Sequence, residues 1–211
     1  MTTASSQILT NKIVAILRGL PADTVMPVVE ALIKGGIKAV EITLNTPGAF
    51  DMIKEITAVF GNKLLTGAGT VMDVEQAAKA IDAGAGFIIS PSLDLSTIAY
   101  TKAQNCVSIP GAFTATEIVT AYKAGADIVK VFPASHPQYI KDLQGPLSHI
   151  PMMPTGGVSL ENIAAFQKAG AVAFGIGSAL VPSSLTKDTL NEKALVEKAK
   201  AFVRAVQPSS K

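Results

Sequence analysis

At 211 residues, with 48% hydrophobic and 16% charged, the chain is long enough to bury a large core and short enough to form one domain. This composition excludes extended disorder, and 18 basic against 16 acidic residues, a net charge of +2, excludes a strong polyanion-binding surface. Lys and Arg do not cluster among aromatics, so no nucleic-acid partner is expected. The single cysteine, Cys106, cannot close an internal disulfide, which fits a reducing compartment, and it reads as a small buried hydrophobe on a strand. The amino-terminal Met-Thr-Thr-Ala-Ser-Ser-Gln lacks a basic start followed by an apolar core, and no later stretch approaches a membrane span. A cytoplasmic protein without a membrane partner is expected.

In chain order, the residues before Thr10 predict a short leading helix or a loose arm. Eight apolar runs rich in Val and Ile then alternate with longer amphipathic segments, the βα pattern: Lys12 to Arg18, Ala39 to Thr43, Leu64 to Thr70, Gly86 to Pro91, Cys106 to Gly111, Ile128 to Pro133, Met152 to Gly157 and Ala173 to Ser178. Helices are predicted from Val74 to Ala83 after Asp73 and from Ala115 to Ala124 after Thr114, closed by Gly84 and Gly125. A final helix, Thr189 to Val206, carries Leu190, Leu195, Ala199, Phe202 and Val206 on one face, and Pro208 to Lys211 should fray.

Near-continuous apolar strands imply a sheet covered on both faces. Eight βα units without a break in composition predict an α/β fold of the (β/α)8 TIM-barrel type, one domain over residues 1–211 with a short N-terminal helix and a C-terminal helix. The structural alternative is a doubly wound open sheet. It needs a phosphate-binding glycine loop after the first strand, where this chain reads Arg18-Gly19-Leu20-Pro21. Gly67-Ala68-Gly69-Thr70-Val71-Met72 begins like a dinucleotide fingerprint but ends in Met where a third small residue is wanted.

In a closed barrel the active site lies at the carboxyl ends of the strands, so polar residues there carry functional weight. Lys130 is the sharpest case, one ammonium inside Ile128-Val129-Lys130-Val131-Phe132-Pro133. Burial lowers a lysine pKa and frees the amine as a nucleophile toward a carbonyl carbon; the bland alternative is a stem along the strand with its head in solvent at the rim. Glu41 is the second ionisable residue in an apolar strand. Burying either alone costs more than burying both around a polar cavity, so the two are expected as a nucleophile and an acid/base, or else as a structural ion pair. Arg18 ends the first run, where it could clamp an anion or form a rim salt bridge; Thr43 and Asn45 follow Glu41, and Thr70 ends the third run. Gly156-Gly157 and Gly177-Ser178 occupy the two loops that often hold phosphate in barrels of this type, which points to a phosphorylated substrate. His136 and His149, the only histidines, make no ligand pair on one face, so no metal and no cofactor are expected and imine chemistry is preferred.

These residues stand in motifs: VAILRG at Arg18, VEITLNTP around Glu41, TGAGTV around Thr70, ISP at Pro91, IPGAFTATE, KVFPA at Lys130, MPTGGVS at Thr155 and GIGSALV at Ser178. From about Lys12 to Val181 the chain resembles the bacterial aldolases acting on 2-keto-3-deoxy-6-phosphogluconate and 4-hydroxy-2-oxoglutarate. The resemblance implies a class I aldolase on a (β/α)8 barrel, usually a homotrimer. It makes Lys130 the Schiff-base lysine and Glu41 the general acid/base. Thr70, Pro91 and Phe132 then line a pyruvate pocket, Arg18 and Thr155 contact substrate, and Gly156, Gly157, Gly177 and Ser178 hold phosphate. Pro91 and Phe132 would otherwise read as packing. One departure stands out: Asn45 occupies a position where the phosphogluconate aldolases commonly carry arginine, while the aldolases acting on 2-keto-3-deoxy-6-phosphogalactonate look like EIPLNSP there. The expected reaction is cleavage of 2-keto-3-deoxy-6-phosphogluconate to pyruvate and glyceraldehyde 3-phosphate. The galactonate epimer and 4-hydroxy-2-oxoglutarate are the alternatives, a phosphosugar isomerase or epimerase a more distant one, and a silent sugar-phosphate-binding barrel the last.

Overall fold

Strand and helix alternate along the chain because its hydrophobic period alternates. The computed structural model describes residues 3–134 and 136–207. The elements are α1 (Thr3–Asn11), β1 (Ile13–Leu17), α2 (Ala22–Lys34), β2 (Ala39–Thr43), α3 (Ala49–Phe60), β3 (Leu65–Gly69), α4 (Val74–Asp82), β4 (Phe87–Ile89) and α5 (Leu95–Ala103). There follow β5 (Val107–Ile109), β6 (Gly111–Ala112), α6 (Ala115–Lys123), β7 (Val129–Val131), α7 (Pro137–Leu147), β8 (Met152–Pro154), α8 (Ile163–Lys168), β9 (Phe174–Ile176) and α9 (Glu192–Val206). The fifth apolar run forms two strands rather than one, because Pro110 has no N–H to donate and interrupts the ladder between Ile109 and Gly111. Lys130 accordingly lies on β7.

All strand pairs are parallel. One sheet runs β5-β4-β3-β2-β1-β9 and the other β6-β7-β8. The Lys130 N–H donates to the Pro110 carbonyl at 2.9 Å and the Asp127 N–H to the Ser108 carbonyl at 3.0 Å, which joins the sheets at one margin. A bridge between Thr155 and Gly175 joins them at the other. The result is an α/β fold with a curled parallel sheet.

Period-two alternation assigns each side chain to a face. On β1, Ile13, Ala15 and Leu17 pack in the large core under the helices, while Val14 belongs to an inner cluster with Ala39, Phe87, Ile89, Val107, Ile109, Ile128 and Met153. Ile8 of α1 belongs to this inner cluster too, so the leading segment is an ordered helix. The same rule sends Glu41 inward with Ala39, between outward Val40 and Ile42, and Lys130 inward with Ile128, between outward Val129 and Val131.

Caps mark the helices where the sequence places them. Asp73 accepts from the Gln76 N–H at 2.8 Å to start α4, and Thr114 with Glu117 forms a reciprocal capping box on α6. Gly84 and Gly125 follow these helices with φ of 102° and 99°. The last helix begins at Glu192 rather than Thr189, because Asn191 caps it by accepting from Ala194 N–H while Thr186 and Thr189 close a turn of their own. Leu190 therefore precedes the helix, while Leu195, Ala199, Phe202 and Val206 are its buried stripe. Cys106 is half-buried and stands before β5, its S–H directed at the Ala85 carbonyl at 3.5 Å. Among the described residues no helix is long and apolar enough to cross a membrane. Pro208 to Lys211 lie outside the described residues.

Candidate active site

A cavity of about 440 Å³ opens at the carboxyl ends of β1, β7, β8 and β9. Its walls include eight of the residues singled out in the sequence: Arg18, Lys130, Phe132, Thr155, Gly156, Gly157, Gly177 and Ser178. Lys130 enters it from the inner face of β7. The residue is 3% exposed, and its Nζ stands 4.8 Å from the centre of the Phe132 ring, a cation–π contact whenever the amine is protonated.

Glu41 lies deeper. It is 1% exposed on the inner face of β2, and its Oε2 has no hydrogen-bond partner. The space for its carboxyl group exists because β3 places a glycine opposite: a Cβ on Gly69 would stand 2.6 Å from Glu41 Cδ and Oε1. Glu41 and Lys130 do not meet as an ion pair, yet each feels the other. Burial pushes the Glu41 carboxyl above its ordinary value, opposed by the positive charges of Lys130 and Arg18. Burial also lowers the Lys130 amine, opposed by Glu41 and assisted by Arg18. Both shifts favour the uncharged forms, an amine able to attack and an acid able to donate.

The glycine loops are shaped for close approach. Gly156 and Gly157 have φ of 77° and 86°, and a Cβ on Gly157 would meet the Ala134 carbonyl at 2.9 Å. Nothing stands within 4 Å of a Cβ placed on Gly177, so that wall is open. Thr155, 4% exposed, carries a buried Oγ1 without a partner at the cavity wall.

Four expected residues stand apart from this wall. Besides Glu41, Asn45 is exposed in the turn after β2, Thr70 follows β3, and Pro91 follows β4 half-buried. Thr70 has φ of 57°, and a non-glycine residue held there costs about 1–3 kcal/mol, a strain concentrated at functional sites. Conversely Ile16, Val158, Ser159, Gly175, Ala179, Val181 and Ser183 line the cavity and were not singled out. Face alternation on β9 could have indicated Gly175, two residues before Gly177. Ser159 directs its hydroxyl to Glu161, and no pattern in the sequence marks Ser183.

The histidines serve the scaffold. His136 caps α7 by accepting from the Gln138 N–H at 3.2 Å, and His149 stacks edge-on against Tyr122. Among the described residues no three His, Cys, Asp or Glu side chains gather as metal donors.

A family model described as KDPG and KHG aldolase matches residues 4–196. The chain is 38% identical over 198 residues to a 2-dehydro-3-deoxy-6-phosphogalactonate aldolase of Escherichia coli strain K12, covering 92% of this chain and 96% of that one. A solved structure titled native KDPGal superposes with a TM-score of 0.85 at 38% identity, covering 92% and 93% of the two chains. A KDPG aldolase from Legionella pneumophila, holding pyruvate captured at low pH as a covalent carbinolamine, superposes with a TM-score of 0.82 at 25% identity over 95% and 98%.

Proposed function

The chain belongs to the KDPG and KHG aldolase family, a carbon–carbon lyase family, and we propose that it cleaves a 6-phosphorylated 2-keto-3-deoxy sugar acid to pyruvate and glyceraldehyde 3-phosphate through an imine on Lys130. The observation that carries this reading is the buried Lys130 amine at the cavity wall, its pKa lowered by burial, with the buried Glu41 carboxyl, its pKa raised by burial, close enough for each to feel the other's charge. Lys130 Nζ attacks the C2 ketone and gives a carbinolamine; Glu41 donates a proton as water leaves, forming the imine. Loss of the C4 hydroxyl proton to the carboxylate then breaks C3–C4, releasing glyceraldehyde 3-phosphate and leaving an enamine. Reprotonation at C3 and hydrolysis return pyruvate and the free amine.

Thr155 contacts the keto-acid half, with Phe132, Thr70 and Pro91 around the methylene. Arg18 faces the anionic groups, and the N–H groups of Gly156, Gly157, Gly177 and Ser178 face the phosphate. A closed (β/α)8 barrel, one domain from residue 1 to 211, is supported by the Thr155–Gly175 bridge and by the Lys130 and Asp127 N–H bonds across the break at Pro110. Assembly as a homotrimer follows the family resemblance, and exposed Met72, Leu95 and Phe113 offer apolar surface for it. Incubation with pyruvate and borohydride should add the mass of a reduced pyruvyl adduct at Lys130. A folded sample left unmodified overturns the imine.

The gluconate epimer is the first reading, and Asn45 favours the galactonate epimer as a second, in keeping with the relative at 38% identity. An asparagine offers one uncharged contact where an arginine offers a bidentate charge, which is worth about tenfold or more in binding. Pyruvate release from both epimers, compared between the parent and Asn45→Arg, decides it. An unchanged epimer ratio removes Asn45 from the question.

A further inference from the structure

The loop that carries Arg18 is tied to the β2–α3 turn by one buried hydroxyl. Gly19 N–H donates to Thr46 Oγ1 at 2.9 Å, and Thr46 Oγ1 lies 3.1 Å from Thr43 Oγ1, all within a turn that is itself closed by Thr46 N–H to the Thr43 carbonyl at 2.9 Å. Thr46 is 3% exposed, although both its neighbours, Asn45 and Pro47, are exposed. Gly19 has φ of 67° and nothing within 4 Å of a Cβ placed on it, so at Gly19 itself the corner is held by this hydrogen bond, while Leu20 beyond it is buried in the core. The Gly19 N–H donates to Thr46 Oγ1, and the Thr46 and Thr43 hydroxyls share a hydrogen bond in which either can donate; the Thr43 side chain shares the inner face with Glu41.

We infer that Thr46 is a positioning residue for substrate binding: its hydroxyl ties the β1–α2 corner to the β2–α3 turn and so steadies Arg18 at the cavity wall. The inference rests on the reading of the cavity as the site of a phosphorylated keto acid. It assigns Thr46 no contact with that substrate. Arg18 is exposed and without an ion-pair partner among the described residues, so no charge holds it at the mouth.

Thr46→Val keeps the shape and removes the hydroxyl; Thr46→Ser keeps the hydroxyl. Three readouts separate positioning from a merely structural effect. Hydrogen exchange at the Gly19 amide should accelerate about tenfold or more in Thr46→Val and return in Thr46→Ser, the loss of one buried hydrogen bond. With the phosphorylated substrate, KM should rise about tenfold in Thr46→Val with kcat nearly kept. In an Arg18→Met background, Thr46→Val should add little further, since both changes remove the same contact. Unchanged Gly19 exchange, or full additivity with Arg18→Met, overturns the inference, as does a Thr46→Ser variant that behaves like Thr46→Val. If Thr46→Val does not fold, Thr46→Ala and Thr46→Ser carry the same comparison. Failure of pyruvate trapping at Lys130 strikes the imine instead, and Gly19 exchange still decides whether Thr46 holds the corner.

Discussion

Glu41 and Lys130 are each expensive in isolation, and the directions of their shifts state how the protein bears them. Lys130 has a folded pKa below its unfolded value, so between the two the unfolded chain binds more protons and stability rises with pH. Glu41 has a folded pKa above its unfolded value, so across that interval the folded chain binds more protons and stability falls with pH. Glu41→Gln removes the second dependence. Its urea midpoint should match the parent at acid pH, where the carboxyl is protonated, and exceed it above the raised pKa. Its pyruvate-release rate should drop about 10²–10⁴-fold, the loss of a positioned acid/base. A variant as active as the parent, or one less stable at high pH, contradicts an acid whose pKa is raised by burial. The two residues were legible because a charge inside Val-Ile runs violates the local pattern. Thr46 was not, since a threonine after Asn45 violates nothing, and its role lies in a hydrogen bond to a loop 27 positions away.

At the scale of elements, β3 explains how a sheet wall makes room for chemistry. Two of its three inward positions hold glycine: a Cβ on Gly67 would meet the Phe87 ring at 2.4 Å, and one on Gly69 would meet the Glu41 carboxyl at 2.6 Å. The two glycines have the same backbone setting and different neighbours, so one substitution should separate them. Gly67→Ala pushes on a fully buried ring and should cost about 1–3 kcal/mol in urea unfolding, with activity largely retained. Gly69→Ala displaces the Glu41 carboxyl and should depress pyruvate release by about 10² or more at a smaller stability cost. Equal losses of stability and rate in both would mean that β3 serves packing alone. Strand positions were legible because apolar runs bounded by Gly and Pro have one period. The break at Pro110 was readable from its missing N–H, yet a single apolar run on both sides concealed it. Helix starts were legible wherever a cap is local, as at Asp73 and Thr114. They were misplaced at Thr189, where apolar Leu190 extends the stripe beyond Asn191, the residue that caps the helix.

For the molecule as a whole, the question is whether the two hydrogen-bonded sheets act as one cooperative unit. The inner cluster draws on both: Val14, Ala39, Phe87, Ile89, Val107 and Ile109 come from the first sheet, and Met153 comes from the second beside Ile128, the residue before β7. The cavity does the same, since Arg18 and Gly177 stand on one side of the seam and Lys130 and Thr155 on the other. The seam is narrow because Gly175 has no side chain; a Cβ there would meet Thr155 Oγ1 at 2.4 Å. Repetition of βα units made the sheet predictable, whereas the pairing that joins its margins depends on contacts between residues far apart in sequence and had to be seen. If the core is continuous, Gly175→Ala strains the seam but the molecule still unfolds as one. The expected result is a single urea transition, coincident by far-ultraviolet circular dichroism and by Tyr fluorescence, with stability lowered by about 1–3 kcal/mol. Because Tyr100, Tyr122 and Tyr139 all lie on α5 to α7, their signal follows one arc of the fold while dichroism follows all of it. Non-coincident transitions in the parent would divide the chain into two units, and the shared cavity would then be an interface between them.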